Sequence, residues 1–306
     1  MHAVTYTSTD GPAAIGFTEL PDPTPASGEV LVAVEAATIN SADLAALAGA
    51  FGPRMPPQVD GAWIPGWDFA GHVKAVGSGV DESLVGAYVV GFAAWFATGN
   101  GGQAELIAAP LEWVARADES VPVEKLTTVG LNALTALQAL DLSGLEPGSA
   151  LLVTGAAGAV GGYAVELAAQ RGLEVWGYAS ESDRDAVLGF GATRFLARED
   201  GSLATQVPGA VDGVFDPAGV GDDAIAAVRD DGVYVSAGQT YDYPRGIRGE
   251  RVGVEPNSAQ LKRIADNVAA GTLSTRVAQT FPASEARAAY EAAGAKGLRG
   301  RIVLTF

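Results

Sequence analysis

The 306-residue chain is 48% hydrophobic and 18% charged, long enough for two domains and able to bury a substantial core. Nineteen Lys and Arg against 36 Asp and Glu give a formal charge of −17 with no basic run, which argues against a nucleic-acid partner. The absence of cysteine, with His2 and His72 the two histidines, excludes disulfides, thiolate ligands and a histidine-rich metal cluster. The first residues lack the basic start and apolar core of a signal peptide, and glycine, proline and charges break every apolar run before it could span a bilayer. A cytoplasmic protein without a membrane partner is the expectation.

Residues 30–37, 69–76 and 87–92 are rich in β-branched side chains and lie between turn signals such as Pro21-Asp22-Pro23 and Gly77-Ser78-Gly79. They predict short strands of a small barrel or partly open sheet. A short helix is predicted over 42–48, with Ser41 as its cap. From 123 to 140 the spacing turns helical, and after Pro147-Gly148 strands and helices alternate. Strands are expected at 150–154, 174–179, 212–215 and 233–237, with helices at 159–171, 184–190 and 222–229. Residues 150–154 (ALLVT) carry no polar alternation, as a strand buried on both faces requires. This βαβ series predicts an α/β fold with a doubly wound parallel sheet. Helices at 258–270 and 284–293 and a strand at 301–306 close the chain.

The strongest motif is Gly155-Ala156-Ala157-Gly158-Ala159-Val160-Gly161, between a buried strand and a helix. Small residues there permit a tight turn, a close approach of backbone to a pyrophosphate, and packing of the helix on its strand. The helix start offers N–H groups and partial positive charge to phosphate. A close helix–strand crossing alone can demand such glycines, but the strand–turn–helix–strand context favours a dinucleotide. The second strand ends in Tyr178-Ala179-Ser180, with Arg184 four residues on. A hydroxyl and a guanidinium suit the 2′-phosphate of NADPH, where NAD sites place a carboxylate. Glu181 keeps NAD open if the strand end is shifted, and helix capping by Ser180 with a solvated Arg184 is the bland alternative.

Further motifs run in order along the whole chain. They are Thr38-Ile39-Asn40-Ser41-Ala42-Asp43, Pro65-Gly66-Trp67-Asp68-Phe69-Ala70-Gly71 with Ala75-Val76-Gly77, and Gly101-Gly102-Gln103-Ala104-Glu105. Ala133-Leu134-Thr135-Ala136 and Gly300-Arg301-Ile302-Val303-Leu304 follow. In this order and spacing the chain resembles the zinc-independent quinone oxidoreductases of the medium-chain dehydrogenase/reductase superfamily. The resemblance implies a GroES-like β-rich catalytic domain from residues 1–120 and 272–306, and a Rossmann domain from 121–271. It implies that Asn40 and Thr135 lie near the nicotinamide, with Asn40 shaping the catalytic site. It also implies that Gly238, followed by Gln239, lines the cofactor channel, that Asp216 sits in a loop beside the cofactor, and that the protein is a homodimer. Turn formation or helix capping is the alternative for Asn40 and Asp43, and a buried, satisfied hydroxyl the alternative for Thr135.

Departures from the wider superfamily sharpen the expectation. Zinc alcohol dehydrogenases hold their metal with a cysteine and a Gly-His-Glu segment, where this chain has Asn40 and Gly66-Trp67-Asp68. Without a Lewis acid, simple alcohol oxidation is disfavoured. The expected reaction is hydride transfer from NADPH to a planar quinone or to the β-carbon of an enone, with the protein holding donor and acceptor in position. Trp63, Trp67, Trp95 and Phe96 are candidates for a flat apolar wall, and Tyr241 and Tyr243 weaker candidates for a proton donor. A pathway-dedicated enoyl reductase and a non-catalytic NADPH-binding protein are the competing readings.

Overall fold

Alternating apolar runs between glycine and proline turns form β1 (His2–Thr5), β2 (Gly16–Glu19), β3 (Glu29–Ile39), β4 (Asp68–Val76), β5 (Tyr88–Phe92), β6 (Leu106–Pro110) and β7 (Val114–Arg116). Helix α1 (Ser41–Leu47) lies between β3 and β4. The computed structural model describes residues 1–295 and 297–306. After β7 come α2 (Val123–Leu126) and α3 (Gly130–Ser143), where the sequence predicts one continuous helix. The break falls at a pair of threonines whose hydroxyls bond to backbone carbonyls, Thr127 to Ala36 (3.3 Å) and Thr128 to Lys125 (2.8 Å). Such bonds compete with helical pairing.

The alternating part follows: β8 (Ala150–Thr154), α4 (Ala159–Gln170), β9 (Glu174–Ala179), α5 (Arg184–Gly189), β10 (Arg194–Ala197), α6 (Leu203–Gln206), β11 (Val211–Asp216), α7 (Asp222–Ile225), β12 (Val228–Ser236) and β13 (Arg248–Arg251). Helix α8 (Ser258–Ala269), β14 (Val277–Pro282), α9 (Ala286–Ala293) and β15 (Arg301–Thr305) complete the described elements. The helix expected over 222–229 is shorter, because the chain turns back at Ala226 and Ala227 to enter β12.

The chain divides into two units, one of Met1–Leu131 with Glu255–Phe306 and the other of Asn132–Val254. These limits differ from the expected junctions at 120/121 and 271/272. Helix α2 lies against β3 and β4, and α8 against β7, so both stay with the first unit.

In the first unit a seven-stranded sheet runs β14-β15-β3-β4-β5-β7, with β6 also on β3. Its C-terminal strand β15 pairs antiparallel with β3, Ile302 opposite Ile39. One apolar cluster gathers Tyr6, Ile39, Leu47, Trp95, Tyr290 and Leu304; a second joins Val30, Val32, Phe69, Val89, Ile107 and Trp113. In the second unit six strands run β10-β9-β8-β11-β12-β13, every neighbouring pair parallel. Taking β8 as first, this is the doubly wound order 3-2-1-4-5-6, whose ligands bind outside the carboxyl ends of the strands where the order reverses.

Candidate dinucleotide site

Strand β8 delivers the chain to the glycine turn at that switch point. Gly155 adopts φ +55°, in the left-handed region that a side chain resists. Gly158 N donates to Gly155 O (2.8 Å), and Ala156 N to Tyr178 O (3.1 Å) on β9. A Cβ on Gly161 would collide with the Gly155 carbonyl, so glycine is needed where α4 crosses its strand. Gly158 is the N-cap of α4 and makes no side-chain cap bond. Gly158 is exposed, while Ala157, Ala159 and Val160 are half-buried, so the helix start faces open space with its dipole uncovered.

Other expected residues stand at the carboxyl ends of neighbouring strands. Ser180 follows β9, is buried and stands at the N-cap of the turn Glu181–Asp183, as the capping alternative has it, but makes no side-chain cap bond. Arg184 is bidentate to Glu181 (2.6 and 2.7 Å), and its guanidinium lies 4.6 Å over the Phe195 ring. Through that hydrogen bond Arg184 holds the Glu181 carboxyl below its ordinary range. The sequence reading missed Arg198. Strands β9 and β10 pair Ala179 with Ala197, so Ser180 and Arg198 leave the sheet side by side. Arg198 is exposed, with a looser 3.6 Å pairing to Glu199. The signal was the short strand Arg194–Ala197, which is too brief to be read from periodicity.

Asp216 ends β11 but does not present its carboxylate to a ligand. It is buried and accepts from the Thr154 and Tyr234 hydroxyls, Val220 N (3.1 Å) and Gly221 N (2.9 Å). A buried charge must be satisfied in this way, and here it pins the loop 217–221 after β11. At the end of β12, Gly238 and Gln239 are exposed; Gly238 N donates to Ser236 Oγ (3.0 Å) and Gln239 Nε2 to Tyr241 Oη (3.1 Å). A side chain on Gly238 would meet nothing within 4 Å. Thr135 is buried on α3 in this same unit.

Asn40 belongs to the first unit and is buried. It, not Ser41, is the N-cap of α1, in a capping box with Asp43, whose carboxylate accepts from Asn40 N (2.8 Å). Its Nδ2 donates to Thr38 Oγ1 (3.1 Å) and Asp68 Oδ2 (2.6 Å). The carboxamide is thus held by Thr38 and Asp68 on one side, in the interior of the unit. Among the aromatic candidates, Trp95 is fully buried and Trp63 donates Nε1 to Pro56 O (2.7 Å). Both are core. Trp67 and Phe96 are half-buried, with ring centroids 5.1 Å apart. Among the described residues no group of three or more His, Cys, Asp or Glu is set to hold a metal ion, and no helix is long and apolar enough to cross a membrane.

A parallel sheet of this order with a glycine elbow, in a chain that also forms a β-rich unit closed by a returning C-terminal strand, defines a Rossmann and GroES-like dehydrogenase architecture. Residues 26–119 match the alcohol dehydrogenase GroES-like domain, and residues 190–304 the zinc-binding dehydrogenase family. A chloroplast envelope quinone oxidoreductase homolog of Arabidopsis thaliana is 34% identical over 203 residues, 64% of this chain and 60% of that protein. The acrylyl-CoA reductase AcuI of Ruegeria pomeroyi is 32% identical over 196 residues, 61% of this chain and 55% of that one. A mycobacterial protein solved in complex with NADPH is 24% identical, superposes with a TM-score of 0.85 and covers 100% of both chains, which shows the shared fold. The chain belongs to the medium-chain dehydrogenase/reductase superfamily, among relatives of its quinone oxidoreductases, and spans about 60% of the length of the plant relatives it matches.

Proposed function

We propose that the protein is an NADPH-dependent oxidoreductase that passes hydride to a quinone or to an activated C=C bond, without zinc. The observation that carries this reading is the elbow Gly155–Gly161 at the switch point of the parallel sheet, exposed at Gly158 and without a side-chain cap on the helix it opens. Bound there, NADPH would supply the hydride. The backbone N–H groups at the start of α4 would hold the pyrophosphate, and Gly238 leaves room at the end of β12 beside the exposed Gln239. Ser180 and the exposed Arg198 favour a 2′-phosphate, while Arg184 pairs with the Glu181 carboxylate and Arg198 faces that of Glu199. The mycobacterial neighbour solved with NADPH supports the same choice.

Asn40 then shapes the site as a fixed corner of backbone, and the proton that follows the hydride comes from water or from a group on the acceptor. A homodimer in the cytoplasm completes the reading. The acrylyl-CoA reductase relative favours a second one, an enoyl reductase dedicated to one pathway intermediate. Rates of NADPH and NADH oxidation across quinones, simple enones and acyl thioesters test both. Turnover confined to thioesters would select the second, and NADPH binding without turnover on any acceptor would leave a non-catalytic binder.

A further inference from the structure

The buried carboxylate of Asp68 is the hub of a polar cluster in the first unit. Its Oδ2 accepts from the Thr38 hydroxyl and from Asn40 Nδ2 (2.6 Å), and its Oδ1 from the backbone N–H of Leu131. One side chain on β4 thus ties the end of β3, the cap of α1 and the first turn of α3. Space around it is closed: a Cβ on Gly130 would run into Asp68 Oδ1 and lie 2.8 Å from Gly91 O. The negative group also sits at the start of α3, where the helix dipole favours it.

We propose that Asp68 is the positioning residue of the hydride-transfer reaction, holding Asn40 and the backbone at Leu131 in the geometry that transfer requires. This rests on the functional reading above. The charge matters because it dictates direction. A carboxylate can only accept, so it fixes which edge of the Asn40 carboxamide points toward it and leaves the other edge over the first turn of α1. An uncharged amide at position 68 could still accept from Leu131 N–H, but its NH2 would confront the NH2 of Asn40. The Asn40 carboxamide must then turn over and give up its place in the capping box.

Asp68→Asn is the test. Misplacement by about 1 Å costs roughly 10²-fold in rate, so kcat is expected to fall about 10- to 100-fold while the dissociation constant for NADPH, read by nucleotide fluorescence, hardly moves. The double variant Asn40→Asp/Asp68→Asn reverses donor and acceptor between the two side chains and keeps the Leu131 bond; it is expected to recover most of the lost kcat. In the cofactor-free protein, one Asn40 side-chain amide proton should resonate downfield because its acceptor is charged, and Asp68→Asn should abolish that signal. If Asp68→Asn does not fold, Thr38→Val removes one tie and keeps the carboxylate, with an expected kcat loss of about 3- to 10-fold. Wild-type kcat in Asp68→Asn, or in Thr38→Val where Asp68→Asn does not fold, overturns the proposal, as does a double variant no better than the single one. Wild-type protein that binds NADPH but turns over no acceptor overturns the functional reading instead, and the amide signal still reports on Asp68.

Discussion

Asp43, wholly buried at the third position of α1, accepts from Asn40 N (2.8 Å) and Gly66 N (3.1 Å). Burial pushes its carboxyl up to about 7 from 3.8; the nearby charge of Asp68 acts in the same direction, and the two backbone bonds and Arg301 oppose it. The unfolded chain releases this proton near 3.8 and the folded chain keeps it to about 7. Its contribution is therefore fully present below the lower value and declines as pH rises through the window, by about 1.4 kcal/mol per unit. Asp43→Asn removes the titration but can accept one backbone bond in place of two. Urea midpoints should show the variant well below wild type at pH 5 and closer to it at pH 8; a constant gap would refute the account. The arginines carry a second prediction. Arg198→Glu should reverse much of the NADPH preference in paired kcat/KM measurements, whereas Arg184→Glu should chiefly cost the Glu181 pairing. If Arg198→Glu leaves the preference intact, the 2′-phosphate is recognised elsewhere. Legibility at this scale was uneven. Ser180 could be read because its neighbours in sequence are its neighbours in the strand. Arg198, 18 residues on, reaches the same place through a strand pairing that no local pattern reveals. Asp216 and Asn40 were read as ligand-facing, yet their partners Tyr234 and Asp68 lie 18 and 28 residues away, so their saturation was invisible.

Among elements, those with a strong local cause were legible. Strand β8 declares itself by an unbroken apolar run and α4 by its helix formers, and the glycines between them have steric reasons that the turn makes explicit. Strand β13 and the break between α2 and α3 were not legible. The former is four residues of Arg-Gly-Glu-Arg at a sheet edge, and the latter depends on a hydroxyl reaching Ala36, 91 residues away. The elbow makes its own prediction. Gly158 has φ −74°, which any residue adopts, and a Cβ there would approach Gly155 O at 3.1 Å, so a larger side chain asks for a shift of a few tenths of an ångström. Gly158→Trp should keep its melting temperature within a few degrees of wild type, since exposed substitutions cost roughly 0.5 kcal/mol or less. It should nevertheless lose at least about 10-fold in NADPH affinity, because an indole at this exposed position would stand where a pyrophosphate must approach the backbone N–H groups. Unchanged affinity would mean that the elbow is a packing device.

At the scale of the whole molecule, the chain leaves its first unit after Leu131 and returns at Glu255, building one core from both ends and another from the middle. The order of secondary elements foretold this, because a βαβ series inserted between β-rich ends has few other ways to fold. The units divide at different points from the expected junctions because α2 and α8 pack with the β-rich unit. The division also supplies a natural reporter. Of the five tryptophans, Trp63, Trp67, Trp95 and Trp113 lie in the first unit and Trp176 in the second, on β9 next to β8. A ligand that binds the folded second unit alone stabilises it by about 2.7 kcal/mol at 100 times its dissociation constant. Subtracting the denaturation curve of Trp176→Phe isolates the signal of Trp176, whose midpoint should rise with added NADPH by an amount that follows the logarithm of its concentration. Adenosine 2′,5′-bisphosphate, which offers the 2′-phosphate without the nicotinamide, should shift the same midpoint less. A midpoint indifferent to both would place the dinucleotide outside this unit.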